Sequence, residues 1–130
     1  MYRRNILTRL NSALADTRVV LLNGARQVGK STLAGELQRL RGGVLVTLDD
    51  DTQRRAALDD PRGFVERATG AGPLIIDEVQ LAPPLFRALK AAVDRDRRPG
   101  RYVVTGSTRL LTADGFADAL VGRLEVVEVW

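Results

Sequence analysis

Residues 24–31 read Gly-Ala-Arg-Gln-Val-Gly-Lys-Ser, which matches the pattern G-x-x-x-x-G-K-[ST]. The preceding residues 18–22 form a short apolar run of the length typical of a buried strand. The following residues 32–40 place their leucines at helical spacing, which predicts an amphipathic helix. A strand, a glycine-rich loop and a helix in this order form the context in which the pattern binds phosphate groups. The sequence therefore predicts a phosphate-binding loop, and the alternative is a chance match.

The residue types in this loop suit a nucleotide polyphosphate. Gly24 and Gly29 permit the tight turn that points backbone N–H groups at the phosphates. We expect Lys30 to contact the β- and γ-phosphates and to stabilise charge during catalysis, and the Ser31 hydroxyl to ligate Mg²⁺. The helix that starts near Lys30 adds its positive end. The predicted nucleotide-binding residues are Gly24, Ala25, Arg26, Gln27, Val28, Gly29, Lys30, Ser31 and Thr32.

The composition excludes several classes of chemistry. The chain has 130 residues, 45% of them hydrophobic, with no cysteine and no histidine. Disulfides, thiol nucleophiles, zinc sites and imidazole catalysis are therefore excluded, and one globular domain is expected. The net charge of +4 supports a nucleic-acid partner only weakly, because basic and acidic residues are interspersed. No long apolar run or signal-type N-terminus occurs, which predicts a cytoplasmic protein without a membrane partner.

Residues 1–16 predict an amphipathic helix that packs on a core domain formed by residues 17–130. Its apolar face consists of Ile6, Leu7, Leu10, Leu14 and Ala15. A helix that binds a partner or a membrane surface is the alternative.

Asp49, Asp50 and Asp51 stand at the C-terminal end of a second predicted strand, residues 44–48. Three carboxylates in a row suggest a metal site, but consecutive side chains do not all point in one direction. Capping of the helix that follows is the favoured role, and a metal site is the alternative.

A third predicted strand, residues 74–76, ends in the acidic pair Asp77 and Glu78. Asp77 is expected to hold Mg²⁺ or a water molecule bound to it, and Glu78 to orient and polarise the water that attacks the γ-phosphate. The alternative is that an acidic pair simply ends a strand. The phosphate-binding loop about fifty residues earlier favours the catalytic interpretation.

A fourth predicted strand, residues 102–107, carries polar side chains at its end. Ligands of parallel sheets bind at the carboxyl ends of the strands, so Thr105, Ser107 and Thr108 are candidates for contacting the γ-phosphate. Hydrogen bonding within a turn is the alternative. Residues 124–130 predict a fifth strand. Strands that alternate with helices predict an α/β fold with a parallel five-stranded sheet and helices on both faces.

Together these residues resemble the prokaryotic P-loop ATPases of the AAA+ type, which begin with an amphipathic helix. The resemblance covers nearly the whole chain. It is carried by residues 24–32, Leu48-Asp49-Asp50, Asp60-Pro61, Ile75-Ile76-Asp77-Glu78-Val79-Gln80, residues 89–94, Thr105-Gly106-Ser107 and Leu120-Val121-Gly122-Arg123.

This resemblance implies a three-layer P-loop NTPase fold with the sheet order 5-1-4-3-2. It also implies that Ser107 or Thr105 lies beside the γ-phosphate as a polar sensor, and that Asp49–Asp51 lie at the sheet edge, away from the phosphates. Arg123 matches the arginine of a Gly-Arg step and is a candidate catalytic arginine finger or sensor, with a structural salt bridge as the alternative.

Members of this group usually continue with a small helical domain and a C-terminal domain that resembles restriction-type nucleases. We therefore expect this chain to be an amino-terminal fragment whose own ATPase activity is weak or absent. The partner hypotheses are a homo-oligomer and DNA or a protein bound through the C-terminal domain.

The predicted function is that of a Mg²⁺-dependent ATP hydrolase core that binds ATP or ADP. A nucleotide-gated DNA- or protein-binding module without turnover of its own is the alternative from another class. A small kinase is less favoured, because the acidic pair Asp77 and Glu78 suits water activation. A GTPase is less favoured still, because no Asn-Lys-x-Asp motif occurs.

Overall fold

The computed structural model describes residues 2–24, 30–67, 72–106 and 115–129, with the side chains of 2–5, 24, 30, 31, 117 and 129 left aside. The helices are α1 (Tyr2–Asp16), α2 (Lys30–Arg41), α3 (Asp51–Asp59), α4 (Pro61–Val65), α5 (Pro84–Arg95) and α6 (Phe116–Leu120). The strands are β1 (Val19–Gly24), β2 (Val44–Thr47), β3 (Leu74–Asp77), β4 (Tyr102–Gly106) and β5 (Leu124–Val129).

The strands form one five-stranded sheet in the order β2-β3-β4-β1-β5, and every neighbouring pair is parallel. This confirms the three-layer α/β fold and the order 5-1-4-3-2 that the resemblance implied. In a parallel sheet the carboxyl ends of all strands lie along one edge, which runs across the strands. This edge is formed by the last residues of β1, β3 and β4, which are Gly24, Asp77 and Gly106.

Alternate residues of each strand face opposite layers of helices. One cluster joins the sheet to α1 and α2 and contains Ile6, Leu10, Ala13, Leu14, Val20, Leu22, Leu33, Ala34, Leu37, Ile75, Val103 and Val127. The other joins it to α3–α6 and includes Val19, Leu21, Ala57, Phe64, Leu74, Ile76, Leu89, Val104 and Phe116. Two apolar layers on one sheet explain why the short strands are buried on both sides.

Acidic residues cap the starts of α3 and α4, and for α3 this is the role that the sequence favoured for the Asp49–Asp51 run. The Asp50 side chain accepts hydrogen bonds from the backbone N–H groups of Thr52 at 2.8 Å and Gln53 at 3.3 Å, and so caps α3. Asp60 caps α4 in the same way, and Pro61 occupies its first turn. Among the helices that the structure describes, none is long and apolar enough to cross a membrane.

Gly43 joins α2 to β2 where two backbone segments approach closely. Its φ is +91°, and a Cβ atom built on it would lie 2.1 Å from the carbonyl oxygen of Pro73. That oxygen accepts the N–H of Val44 at 3.1 Å, so it is held in place at the start of the β2–β3 ladder. Both the backbone conformation and the space therefore require glycine here.

We expect Gly43→Ala to lower the free energy of unfolding by about 2–4 kcal/mol, from backbone strain and the displacement of Pro73. Urea unfolding followed by circular dichroism measures it. Gly35→Ala is the matched control, because Gly35 lies within α2 with open space around it. That change is expected to raise the free energy of unfolding by up to about 1 kcal/mol. Equal stability of the two variants would contradict the close approach at Gly43.

Candidate functional site

The predicted phosphate-binding loop connects the end of β1 to the start of α2. Gly24 is the last residue of β1, Lys30 is the first residue of α2, and residues 25–29 lie outside the described part of the chain. The structure describes the backbone of Lys30 and Ser31 and leaves their side chains aside, while Thr32 is exposed in the first turn of α2. The strand before these residues and the helix after them thus agree with the pattern, and the loop and the roles of its residues stay predictions.

Asp77 lies at the carboxyl end of β3, on the face of the sheet that α2 covers. Ile75 packs with the leucines of α2, and the alternation of the strand places Asp77 on the same side. The Asp77 side chain is only 6% exposed, so its carboxylate needs hydrogen-bond donors. Thr105 donates to Oδ1 at 2.5 Å and Thr47 donates to Oδ2 at 3.2 Å. Two hydroxyl groups from the flanking strands therefore orient this carboxylate.

Glu78 follows in a left-handed backbone conformation, with φ of 62° and ψ of 49°. It is the one non-glycine residue with positive φ among those the structure describes. Its N–H donates to Thr105 Oγ1 at 3.0 Å, and its Oε2 accepts from Gln80 Nε2 at 2.7 Å. The side chain is 8% exposed. Non-glycine residues in this conformation carry strain and cluster at functional sites, which agrees with a catalytic role for Glu78.

Three residues that hold this acidic pair had no such role in the sequence analysis. Thr47 and Gln80 were not candidates at all, and Thr105 was a candidate for contacting phosphate. The Thr105 side chain is fully buried, and its hydroxyl is already bonded to Asp77 and Glu78. The sequence signal that remains is position, because Thr47 and Thr105 stand at or beside the ends of the strands that flank β3.

A second polar pair lies at the same edge of the sheet, between β1 and β5. Asn23 is 7% exposed, and its Nδ2 lies 3.2 Å from both carboxylate oxygens of Glu128. Asn23 Oδ1 is buried without a hydrogen-bond partner. Alternation along β1 places Asn23 on the face opposite α2, together with Leu21. This pair is therefore separated by the sheet from Asp77.

Arg123 lies directly before β5, at the edge formed by the amino ends of the strands. Its Nε donates to Asp94 Oδ1 at 2.6 Å and its Nη2 donates to Oδ2 at 3.1 Å, which is the salt bridge that the sequence left as the alternative. The Arg123 guanidinium lowers the pKa of the Asp94 carboxyl below its ordinary value. Val19, at the start of β1, pairs with Leu124. Arg123 is therefore roughly 16 Å, one strand length, from the Gly24 edge.

The remaining candidates are divided between the described and undescribed parts of the chain. Ser107 and Thr108 lie outside the described residues. Asp49–Asp51 follow β2, an edge strand of the sheet, and Asp50 is used as a helix cap. No cluster of three or more metal-ligating side chains occurs within the described ranges.

Comparison with known proteins supplies the family. A sequence model of an AAA domain matches residues 16–130. Uncharacterized proteins of Mycobacterium tuberculosis and Mycobacterium bovis are each 35% identical to this chain over 130 residues. The alignment covers 98% of this chain and 28% of each relative, so the chain spans less than a third of their length.

Solved structures with a similar fold include a Walker-type ATPase of Pyrococcus abyssi and AMPPCP-bound DnaA of Aquifex aeolicus. The first has a TM-score of 0.61 at 16% identity, covering 98% of this chain and 54% of that protein. The second has a TM-score of 0.58 at 16% identity, and the match covers 96% of this chain and 44% of that protein. At such identities the likeness shows the fold alone. The family match over residues 16–130 shows more: it supports a nucleotide-binding module of the ATPase type, and this chain belongs to the AAA domain family.

Proposed function

We propose that this chain is the core of a Mg²⁺-dependent ATPase, in which water attacks the γ-phosphate of ATP. The observation that carries the proposal is the buried pair Asp77 and Glu78 at the end of β3, on or beside the face covered by α2. The glycine-rich loop ends where α2 begins, so its phosphate ligand and the acidic pair share one edge of the sheet. A buried carboxylate pair at that edge suits catalysis better than helix capping or solubility.

The donor set fits a hard divalent cation. Asp77 contributes carboxylate oxygens whose orientation Thr47 and Thr105 control, and Ser31 contributes a hydroxyl oxygen. Mg²⁺ prefers such oxygen ligands, and when held by Asp77 and Ser31 it would neutralise negative charge that develops on the phosphates.

The other roles in phosphate binding and catalysis belong to side chains and backbone amides of the protein. Lys30 and the loop amides bind the phosphates, and Glu78 accepts a proton from the attacking water and orients it. We assign contact with the γ-phosphate to Ser107, the residue that follows β4 in sequence. Arg123 is too far from this edge to act on its own site, so we assign it to the site of a neighbouring copy in a homo-oligomer, where it would exchange Asp94 for phosphate.

One contact favours the alternative function, a nucleotide-gated binding module without turnover of its own. Glu78 Oε2 accepts a hydrogen bond from Gln80 Nε2 at 2.7 Å, and we infer that a change in this contact would control how Glu78 meets the attacking water. Structures with a similar fold include a DNA replication initiation factor and a Pif1 helicase bound to single-stranded DNA. The alternative includes a DNA or protein partner that releases Glu78. For either function we propose a cytoplasmic location.

Calorimetric titration of the purified chain with ATP and ADP, with and without Mg²⁺, tests nucleotide binding. We expect binding that Mg²⁺ strengthens, because Asp77 and Ser31 would hold the cation beside the phosphates. Phosphate release measured with ATP alone and then with added DNA separates a hydrolase from a gated binding module. Absence of binding to either nucleotide in the presence of Mg²⁺ would contradict the proposed function.

A further inference from the structure

Within the described part of the chain, Thr105 is the side chain that hydrogen-bonds both members of the acidic pair through one atom. Its Oγ1 lies 2.5 Å from Asp77 Oδ1 and 3.0 Å from the backbone nitrogen of Glu78. We propose that Thr105 is a positioning residue, which sets the Asp77 carboxylate and the Glu78 backbone together and does not itself contact the nucleotide. The consequence of this positioning role for nucleotide binding rests on the proposed function, whereas the effect of Thr105 on Glu78 does not.

The chemistry of a hydroxyl group determines the direction of both hydrogen bonds. An ionised carboxylate can only accept, so the one hydroxyl hydrogen of Thr105 goes to Asp77. A backbone N–H can only donate, so the same oxygen accepts from Glu78. A side chain that reads a phosphate must donate to it. With its hydrogen committed to Asp77 and its side chain fully buried, Thr105 is not available for that role.

The bond to Glu78 also accounts for the unusual backbone of that residue. The left-handed conformation is unfavourable for a residue with a side chain and persists only where the surroundings hold it. Thr105 holds the N–H of Glu78, and Gln80 holds its carboxylate. Both contacts act on a residue that directly follows β3, where the sheet hydrogen bonds end.

Thr47 provides an internal comparison for this assignment. It also donates to Asp77, at 3.2 Å from Oδ2, but has no hydrogen bond to Glu78. Thr47 Oγ1 also accepts from the Asp49 N–H at 3.3 Å, so removal of its hydroxyl should affect Asp77 and Asp49 but leave Glu78 unchanged. Removal of the Thr105 hydroxyl should affect both residues of the pair, and this difference distinguishes a positioning residue from an ordinary buried threonine.

The first experiment needs no ligand and follows amide hydrogen exchange at Glu78 by NMR. We expect Thr105→Val to accelerate exchange of the Glu78 amide at least about tenfold relative to the β3 amides, as for loss of one buried hydrogen bond. Thr105→Ser, which keeps the hydroxyl, and Thr47→Val should leave the Glu78 amide near its wild-type rate. Unchanged Glu78 exchange in a folded Thr105→Val protein would overturn the proposal.

The second experiment measures ADP and ATP affinity with and without Mg²⁺ for the same variants. We expect Thr105→Val to reduce the strengthening by Mg²⁺ about tenfold, since Asp77 loses its shorter hydrogen bond, while the Mg²⁺-free affinity stays within about twofold. Thr105→Ser, which keeps the hydroxyl, should retain the wild-type strengthening of nucleotide binding by Mg²⁺. Thr17→Val is the matched control, because Thr17 donates to Glu125 at 2.7 Å near the opposite edge of the sheet.

These two experiments fail in different ways. If the wild-type chain binds no nucleotide, the proposed function is wrong and hydrogen exchange still decides the role of Thr105. If nucleotide binds with Mg²⁺ but Thr105→Val changes neither Glu78 exchange nor the effect of Mg²⁺, Thr105 is a structural residue and the positioning role is wrong.

Discussion

Lys30→Ala is expected to weaken binding of ATP in the presence of Mg²⁺ by about 100-fold, with the fold retained. A lysine at the start of α2, directly after the glycine-rich loop, adds a full positive charge where loop amides and the helix end provide only partial charges. A hydrogen bond between charged groups contributes up to about 3 kcal/mol, which corresponds to about 100-fold in affinity. Calorimetric titration measures this loss, and circular dichroism measures the fold.

Lys90→Ala is the matched control for this variant, since Lys30 and Lys90 are the two lysines of the chain. Both substitutions remove the same charge. Lys90 is exposed on α5, which packs on the sheet face opposite α2. We expect its loss to leave ATP affinity within about twofold at moderate salt, because exposed charges farther away than a Debye length are screened. Equal affinities for the wild type and Lys30→Ala would remove the central assignment of this site.

Glu78→Gln is expected to slow hydrolysis of the γ-phosphate by about 100-fold or more, while ATP and Mg²⁺ still bind. An amide has nearly the shape of the carboxylate but does not accept the proton of the attacking water, and loss of a general base costs about 10²–10⁴ in rate. Single-turnover phosphate release, with protein in excess over ATP, detects even slow hydrolysis.

Glu125→Gln provides the control for Glu78→Gln, because Glu125 is exposed on β5 and accepts a hydrogen bond from Thr17 near the opposite edge of the sheet. Its rate should equal that of the wild type. The chain covers 28% of its mycobacterial relatives, so the corresponding pair of variants in a full-length relative is the companion measurement. A Glu78→Gln protein that turns over ATP at the wild-type rate would assign water activation to another group.

The sequence determined those features that depend on local pattern. Residues 24–31, between an apolar strand and a helix with spaced leucines, predicted the β1-loop-α2 unit, and the structure confirms its strand and helix. Alternation of strands and helices predicted the parallel sheet, because a helix after each strand leads the chain back to the starting edge. The resemblance added the order of the strands. Asp77 and Glu78 were identifiable because they end an apolar run.

Only the tertiary structure decided which groups surround those residues. Thr47 is 30 residues from Asp77 in sequence, and Thr105 is 28 residues from it, yet all meet because β2 and β4 flank β3 in register. The same holds for Arg123, which is paired with Asp94 at the far edge. The alternation of apolar residues along a strand indicates which face of the sheet a side chain occupies. It does not indicate which strand lies beside that side chain. Contacts between strands therefore depend on strand order and register, and so does the Thr105 contact that helps to hold the left-handed backbone at Glu78.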